Sequence, residues 1–292
     1  MKKVPEILAP AGDFQSAIAA AKAGADAVYF GFSDFNARRR ARNIRHEELP
    51  LLVRELHSRN VKAYLAINTD ISQRELAEAA RCFKAAKIAG VDALIVKDMC
   101  FFEFRKYLGG IDFHLSTQCG ISSSAGAKFA KELNAKRIII ARELSGKEIK
   151  AIASAEEVEV EIFVQGAMCF SISGRCLLSS WIGGRSGNRG LCASPCRMEW
   201  TDLESDKTQR IMSMKDLSLL KHMKEISGLG VVSLKIEGRL KTAEWIANAV
   251  ETVKKIRDDK FIEMEANSAL GNYAGRELSD SFYIGKHEDL TS

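Results

Sequence analysis

Four cysteines, Cys169, Cys176, Cys192 and Cys196, fall within 28 residues of a 292-residue chain that has seven in all. The stretch reads CFSISGRCLLSSWIGGRSGNRGLCASPC, with gaps of six, fifteen and three residues between the cysteines. Several chemistries compete for so dense a set of thiols. Disulfides belong to small secreted domains, whereas this chain is long and its cysteine count is odd. Its opening, MKKVPEILAPAGD, has neither the apolar run nor the cleavage site of an export signal. Structural zinc favours two tight Cys-x2-4-Cys pairs, and only Cys192 and Cys196 approach one. An iron–sulfur cluster takes four thiolates and tolerates irregular spacing, because it is larger than one ion. Pro195 and the glycines Gly174, Gly183, Gly184, Gly187 and Gly190 suit a backbone wrapped closely around such a core. Four unrelated buried thiols are the remaining reading, since buried cysteines are common singly. The spacing fits the cluster best.

Something must hold this segment in place. Short β-branched runs alternate with Ala-rich amphipathic runs, the rhythm of βα units and a parallel sheet. Strands are expected at 5–9, 27–31, 62–68, 93–97, 112–116, 137–141, 158–165 and 231–236. Helices are expected at 14–23, 46–59, 72–89, 99–108, 122–134, 145–154, about 216–227 and 241–258. Eight such units predict a TIM-like (β/α)8 barrel over residues 1–258. The cysteine-rich segment 166–200 is inserted after strand 7, and 259–292 forms a partly ordered tail. An open doubly wound sheet is the alternative, but the first turn reads PAGD, not GxGxxG. The phrases AGAD at 23–26 and AGVD at 89–92 end helices at glycine and mark the structural face of the barrel.

Active sites of such barrels lie at the C-terminal strand ends. The groups expected there include Arg38 after strand 2, Asn68 after strand 3 and His114 and Gln118 with strand 5. Arg142 and Glu143 follow strand 6, and Lys235, Glu237 and Arg239 follow strand 8. The inserted segment and its exit add Arg175, Arg185, Arg189 and Lys215. His114, Lys235 and Glu237 are the candidates for proton transfer or catalysis, the others for binding substrate. Guanidinium forks suit phosphate and carboxylate, so an anionic substrate is expected. The bland alternative is a rim of solvated arginines and ion pairs that hold the mouth in shape. The net charge of +5 permits an anionic partner without requiring one. Hydrophobic content of 46% supports a proper core, and no apolar run reaches the ~20 residues needed to span a bilayer. A reducing, cytoplasmic setting is expected from the free thiols.

The segment FVQGAMCFSISGRCLLSSWIGGRSGNRGLCASPCRMEW resembles the signature of peptidase family U32, the collagenase-like peptidases. EILAPAGD, ADAVYFG, FNARRRARN, LSTQC, SMKD and SLKIEGR match it elsewhere, so the resemblance covers nearly the whole chain. It implies more than a peptidase. Better understood members resemble oxygen-independent hydroxylases with a [4Fe-4S] cluster, here on Cys169, Cys176, Cys192 and Cys196. They include tRNA uridine and ribosomal RNA cytidine 5-hydroxylation proteins and a ubiquinone hydroxylation pair. The three-residue gap from Cys192 to Cys196, followed by Arg197, resembles the RNA branch. The implied activity is hydroxylation of a pyrimidine in RNA, tRNA wobble uridine before ribosomal RNA, linked to prephenate. The alternatives are a peptidase, although the chain has neither HExxH nor GxSxG, and a non-catalytic subunit working with a second U32 protein.

Overall fold

A computed structural model describes residues 4–155, 157–258, 275–288 and 290–291. In chain order the elements begin β1 (Glu6–Pro10), α1 (Phe14–Lys22), β2 (Ala27–Gly31), α2 (Leu49–His57), β3 (Lys62–Ile67) and α3 (Leu76–Ala89). They continue β4 (Ala93–Val96), α4 (Cys100–Leu108), β5 (Asp112–Leu115), α5 (Ser124–Glu132), β6 (Arg137–Ile139), α6 (Gly146–Ser154) and β7 (Glu159–Gly166). After β7 come α7 (Leu178–Gly183), β8 (Trp200–Thr201), β9 (Thr208–Gln209), β10 (Asp216–Ser218), α8 (Met223–Ile226), β11 (Ser233–Ile236), α9 (Ala243–Arg257) and β12 (Leu278–Ser279).

Strands β1 to β7 pair in sequence, and β11 pairs in parallel with both β1 and β7. Eight parallel strands therefore close into a barrel with helices outside, the expected (β/α)8 architecture. Local chemistry explains the element ends. Asp13, Ser123, Ser145 and Thr242 cap α1, α5, α6 and α9 by accepting backbone N–H groups with their side chains. In the two AGxD phrases the glycines take positive φ, +92° at Gly24 and +78° at Gly90. The aspartates that follow, Asp26 and Asp92, accept the N–H of Ile7 and Ala63 on the neighbouring strand, each at 2.8 Å. Each phrase thus stops a helix and ties the next strand to its neighbour at the N-terminal face.

One element differs from expectation. Residues 216–218 begin no helix. They form β10, which runs antiparallel to β7 and beside β12. The inward-buried Asp216 takes the guanidinium of Arg276, 2.6 Å away, which pins this extra edge. Of the expected helix 216–227 there remain a 3-10 turn at Leu220–His222 and the four-residue α8 that follows it. Of the tail, 259–274 lies outside the described residues. Residues 275–288 lie against the barrel through β12, through Tyr283, whose carbonyl accepts the N–H of Gly146, and through the 2.6 Å contact of Asp280 with His222.

The lower half of the barrel interior is ionic. Arg137 of β6 donates to Glu6 of β1 at 2.8 Å, to Glu161 of β7 at 3.1 Å and to Glu159 at 3.0 Å. Lys235 of β11 donates to Glu161 at 2.8 Å and lies over the Tyr29 ring. Tyr64 donates to Glu6 at 3.0 Å and meets the His114 ring edge-on. A cavity of about 740 Å³ opens from the N-terminal face onto Glu6, Tyr64, His114, Arg137 and Glu159.

Candidate functional site

The C-terminal mouth is built around Glu237. This carboxylate follows β11, is buried, and bridges two guanidiniums. Arg142, from the end of β6, approaches its Oε2 to 2.5 Å while lying over the Phe163 ring. Arg38, from the loop after β2, pairs with its Oε1. Burial pushes the Glu237 carboxyl up, but Arg142 and Arg38 outweigh it and hold it down at about 2. A carboxyl depressed on folding contributes stability that is complete above its ordinary value near 4.5 and is lost as pH falls through about 2. The contribution is about 3 kcal/mol. Glu237→Gln is therefore expected to lower the urea midpoint clearly at pH 6 and hardly at pH 2.5. An equal loss at both pH values would contradict this.

Arg239 is buried beneath the arginine-rich loop. It donates to Asn36 at 3.1 Å and to Asn43 at 2.6 Å, its Nε has no partner among the described residues, and burial pushes its pKa down to about 10. Asn43, at φ +58°, in turn binds the carbonyls of Arg38, Arg39 and Ala41. Arg239 thus organises the loop from within. At Glu237 itself two guanidiniums, Arg38 and Arg142, share one carboxylate, which leaves that pair of contacts with one positive charge in excess.

The cysteine segment lies across this rim. Gly190 packs against Asn36 and Arg39 so closely that a Cβ there would stand 2.4 Å from the Asn36 carbonyl oxygen. Arg189 clamps Glu75 and the Asp70 carbonyl. Arg175 lies on the backbone of Gly120 after β5. Ser173, buried at φ +53°, donates its N–H to Glu143 at 2.9 Å. Arg197 reaches back to the carbonyls of Met168 and Met214. Thr69 Oγ1, Gln118 Oε1 and Ser173 Oγ are buried at this end of the barrel without a hydrogen-bond partner among the described residues.

The four thiols share one neighbourhood, since Cys169 feels the charges of Cys176, Cys192 and Cys196. Burial pushes the Cys169 and Cys196 thiols up. At Cys169 the Ser171 N–H opposes this. The N–H of Leu178 points at Cys176 Sγ and that of Ser194 at Cys192 Sγ, both at 3.3 Å. An amide two residues downstream thus faces the sulfur at three of the four positions. Among the described residues no three Cys, His, Asp or Glu side chains are gathered to hold a metal ion. Thiols are soft donors, of the kind that zinc and iron–sulfur groups take.

The structure relocates several expected site residues. His114 is not at the mouth. It lies in the lower interior, where burial, Arg137 and Lys235 push its pKa well below the ordinary value, and it lines the N-terminal cavity. Lys235 is locked to Glu161 in the same network. Arg189 and Lys215 are engaged with Glu75 and Glu277, and Arg239 with the two asparagines. Asn68 accepts the Ala37 N–H at 3.0 Å. Arg38, Gln118, Arg142, Glu143, Arg175 and Glu237 do gather at the mouth, and Arg185 is exposed on the segment beside it. Asn36 belongs to the loop that the sequence already places at the mouth; Asn43, its hydrogen-bond partner, is the shaping residue that sequence reasoning misses, and its place within FNARRRARN is the available signal.

The profile of peptidase family U32 matches residues 12–292. The chain belongs to this family. A tRNA hydroxylation protein P1 of Bacillus subtilis is 32% identical across 97% of this chain and 72% of its own length. A 23S rRNA 5-hydroxycytidine synthase of Escherichia coli is 36% identical across 87% of this chain and 39% of its own. A collagenase of Porphyromonas gingivalis is 31% identical across 96% and 74%. The U32 peptidase Mk0906 shares the fold, with a TM-score of 0.55 at 12% identity over 81% of this chain and 93% of that one. The chain therefore spans between 39% and 74% of the length of these curated relatives.

Proposed function

We propose that this U32 chain hydroxylates a pyrimidine base in RNA without dioxygen, converting tRNA wobble uridine to 5-hydroxyuridine. The observation that carries this is the likeness, over nearly the whole chain, to relatives named for hydroxylating tRNA and ribosomal RNA. The uridine and its position are the finer part of the proposal. Cys169, Cys176, Cys192 and Cys196 would hold a [4Fe-4S] cluster; their amide donors and shared neighbourhood support it. Such a cluster supplies one-electron transfer. The rest falls to the chain. The positive mouth at Arg38 and Arg142 draws an anionic nucleotide, and a dicarboxylate co-substrate of the prephenate class suits the same guanidiniums. Position 5 of a paired, stacked pyrimidine is hard to reach, so the base enters unstacked. The net change replaces C5–H by C5–OH; with water as oxygen source it releases two protons and two electrons to an external acceptor. The reading places the protein in the compartment where RNA is modified, and no described helix is long and apolar enough to cross a membrane. A second U32 protein would be needed only if the chain is inactive alone.

Nucleoside analysis of RNA from cells with and without this chain tests the proposal. Loss of 5-hydroxyuridine from tRNA on deletion, restored by the wild-type chain, is expected. An unchanged nucleoside profile refutes it. The family name and the collagenase relative favour a peptidase as the second reading. Cleavage of a collagen-like peptide that survives replacement of all four clustered cysteines would establish that one.

A further inference from the structure

Between Arg175 and Arg185 the chain presents an unusual surface. Trp181 is 80% exposed, and Leu177 and Ile182 are each exposed by more than half. Trp181 stands one turn after Leu177 on the short helix α7, its N–H on the Leu177 carbonyl, so the two side chains share a face. Arg175 and Arg185 bracket the patch, and both are exposed. From Gly166 to Met198 the sequence holds four arginines and not one Asp, Glu or Lys. The patch borders the mouth, because Arg175 rests on Gly120 just after β5.

Exposed large apolar groups cost solubility and call for an occupant. The arginines without acidic neighbours in the segment select a polyanion. An aromatic flanked by guanidiniums is the pairing that single-stranded nucleic acid uses, bases on the ring and phosphates on the arginines. A protein partner would be expected to bring acidic groups to Arg175 and Arg185 and apolar ones to Leu177. Unpaired RNA supplies both the charge and a flat apolar face in each nucleotide.

We propose that the Arg175–Arg185 surface is the docking site for the unpaired nucleotides that flank the target base, with Trp181 as the stacking platform. This rests on the RNA reading above. It adds which surface holds the substrate, and it assigns affinity to a residue outside the mouth. Docking next to the rim delivers the neighbouring nucleotide to Arg38 and Arg142.

The test uses the full chain and a 17-nucleotide anticodon stem–loop RNA, with binding followed by anisotropy across a salt series. Trp181→Ala is expected to weaken binding about 5- to 100-fold and to leave the salt slope unchanged. Trp181→Phe should recover most of the affinity. Arg185→Gln should lower the log–log salt slope by about 0.7, one phosphate contact on a single strand. In turnover, Trp181→Ala should raise KM for RNA with kcat kept. The residue is exposed, so the unfolding midpoint and iron content should match wild type, and that match shows the variant is folded. Wild-type binding retained in Trp181→Ala overturns the docking site while leaving the RNA reading intact. A wild-type chain that binds no RNA removes both. A Trp181→Ala protein that binds RNA normally but no longer pairs with a second copy or a protein partner overturns the proposal in favour of a protein interface.

Discussion

Replacing Cys192 and Cys196 together by alanine is expected, on the proposed function, to leave the anaerobically purified protein without iron and sulfide and to abolish base hydroxylation. Wild type should carry about four of each per chain, with a broad visible absorption. The two cysteines flank Pro195 and receive the Ser194 amide and the Ser179 hydroxyl on one sulfur. Their loss would remove half of the four proposed ligands. The barrel should survive, since the segment lies over the rim and contributes little to the core. An unchanged far-ultraviolet spectrum with lost iron is thus the expected pair of results. Zinc in place of iron, or a metal-free wild type purified without oxygen, would end the redox reading and return the peptidase to the front.

The second large effect lies far from the cysteines. Glu161→Ala should destabilise the protein by about 3–5 kcal/mol, the usual result of orphaning a buried cation. Glu161 has no exposed surface and is, among the described residues, the one carboxylate paired with Lys235, which has almost none. Arg137 would keep Glu6 and Glu159, but Lys235 would be left against the rings of Tyr29 and Phe163. Removing both charges, in Glu161→Leu with Lys235→Met, should restore most of the loss. Denaturant titrations of the three proteins measure it. A single mutant within 1 kcal/mol of wild type would show that the pair is not the strut described here.

Much of this was legible in the sequence, for definite reasons. The eight βα units announce themselves by period, and the helix stops by Gly24 and Gly90. The cysteines were visible because thiol spacing is a local property. The interior charges were not. EVEIFVQ alternates, and that pattern reads equally well as a strand with a solvated face; only closure of the barrel turns Glu159 and Glu161 inward to Arg137, whose carboxylate partners lie on two strands, β1 and β7. His114 and Lys235 were assigned to the mouth for the same reason, since depth along a strand is a tertiary property. The strand β10 was lost to a Leu-rich run, DLSLLKHM, which carries a helical pattern while its first residues complete a sheet edge.

The ionic interior also dictates how the molecule comes into being. Arg137 meets Glu6 across 131 residues of chain, and Lys235 meets Glu161 across 74. Until the final strand is synthesised, Glu161 lacks its lysine and the first and seventh strands have no edge to share. A nascent chain stopped short of β11 therefore holds buried-to-be charges that must remain hydrated, and it has no reason to dehydrate its centre. Closure and neutralisation are one event, with high contact order and a correspondingly slow rate. Half-barrels cut from this sequence should remain expanded, and the ribosome must release the chain as far as β11 before the interior can dry.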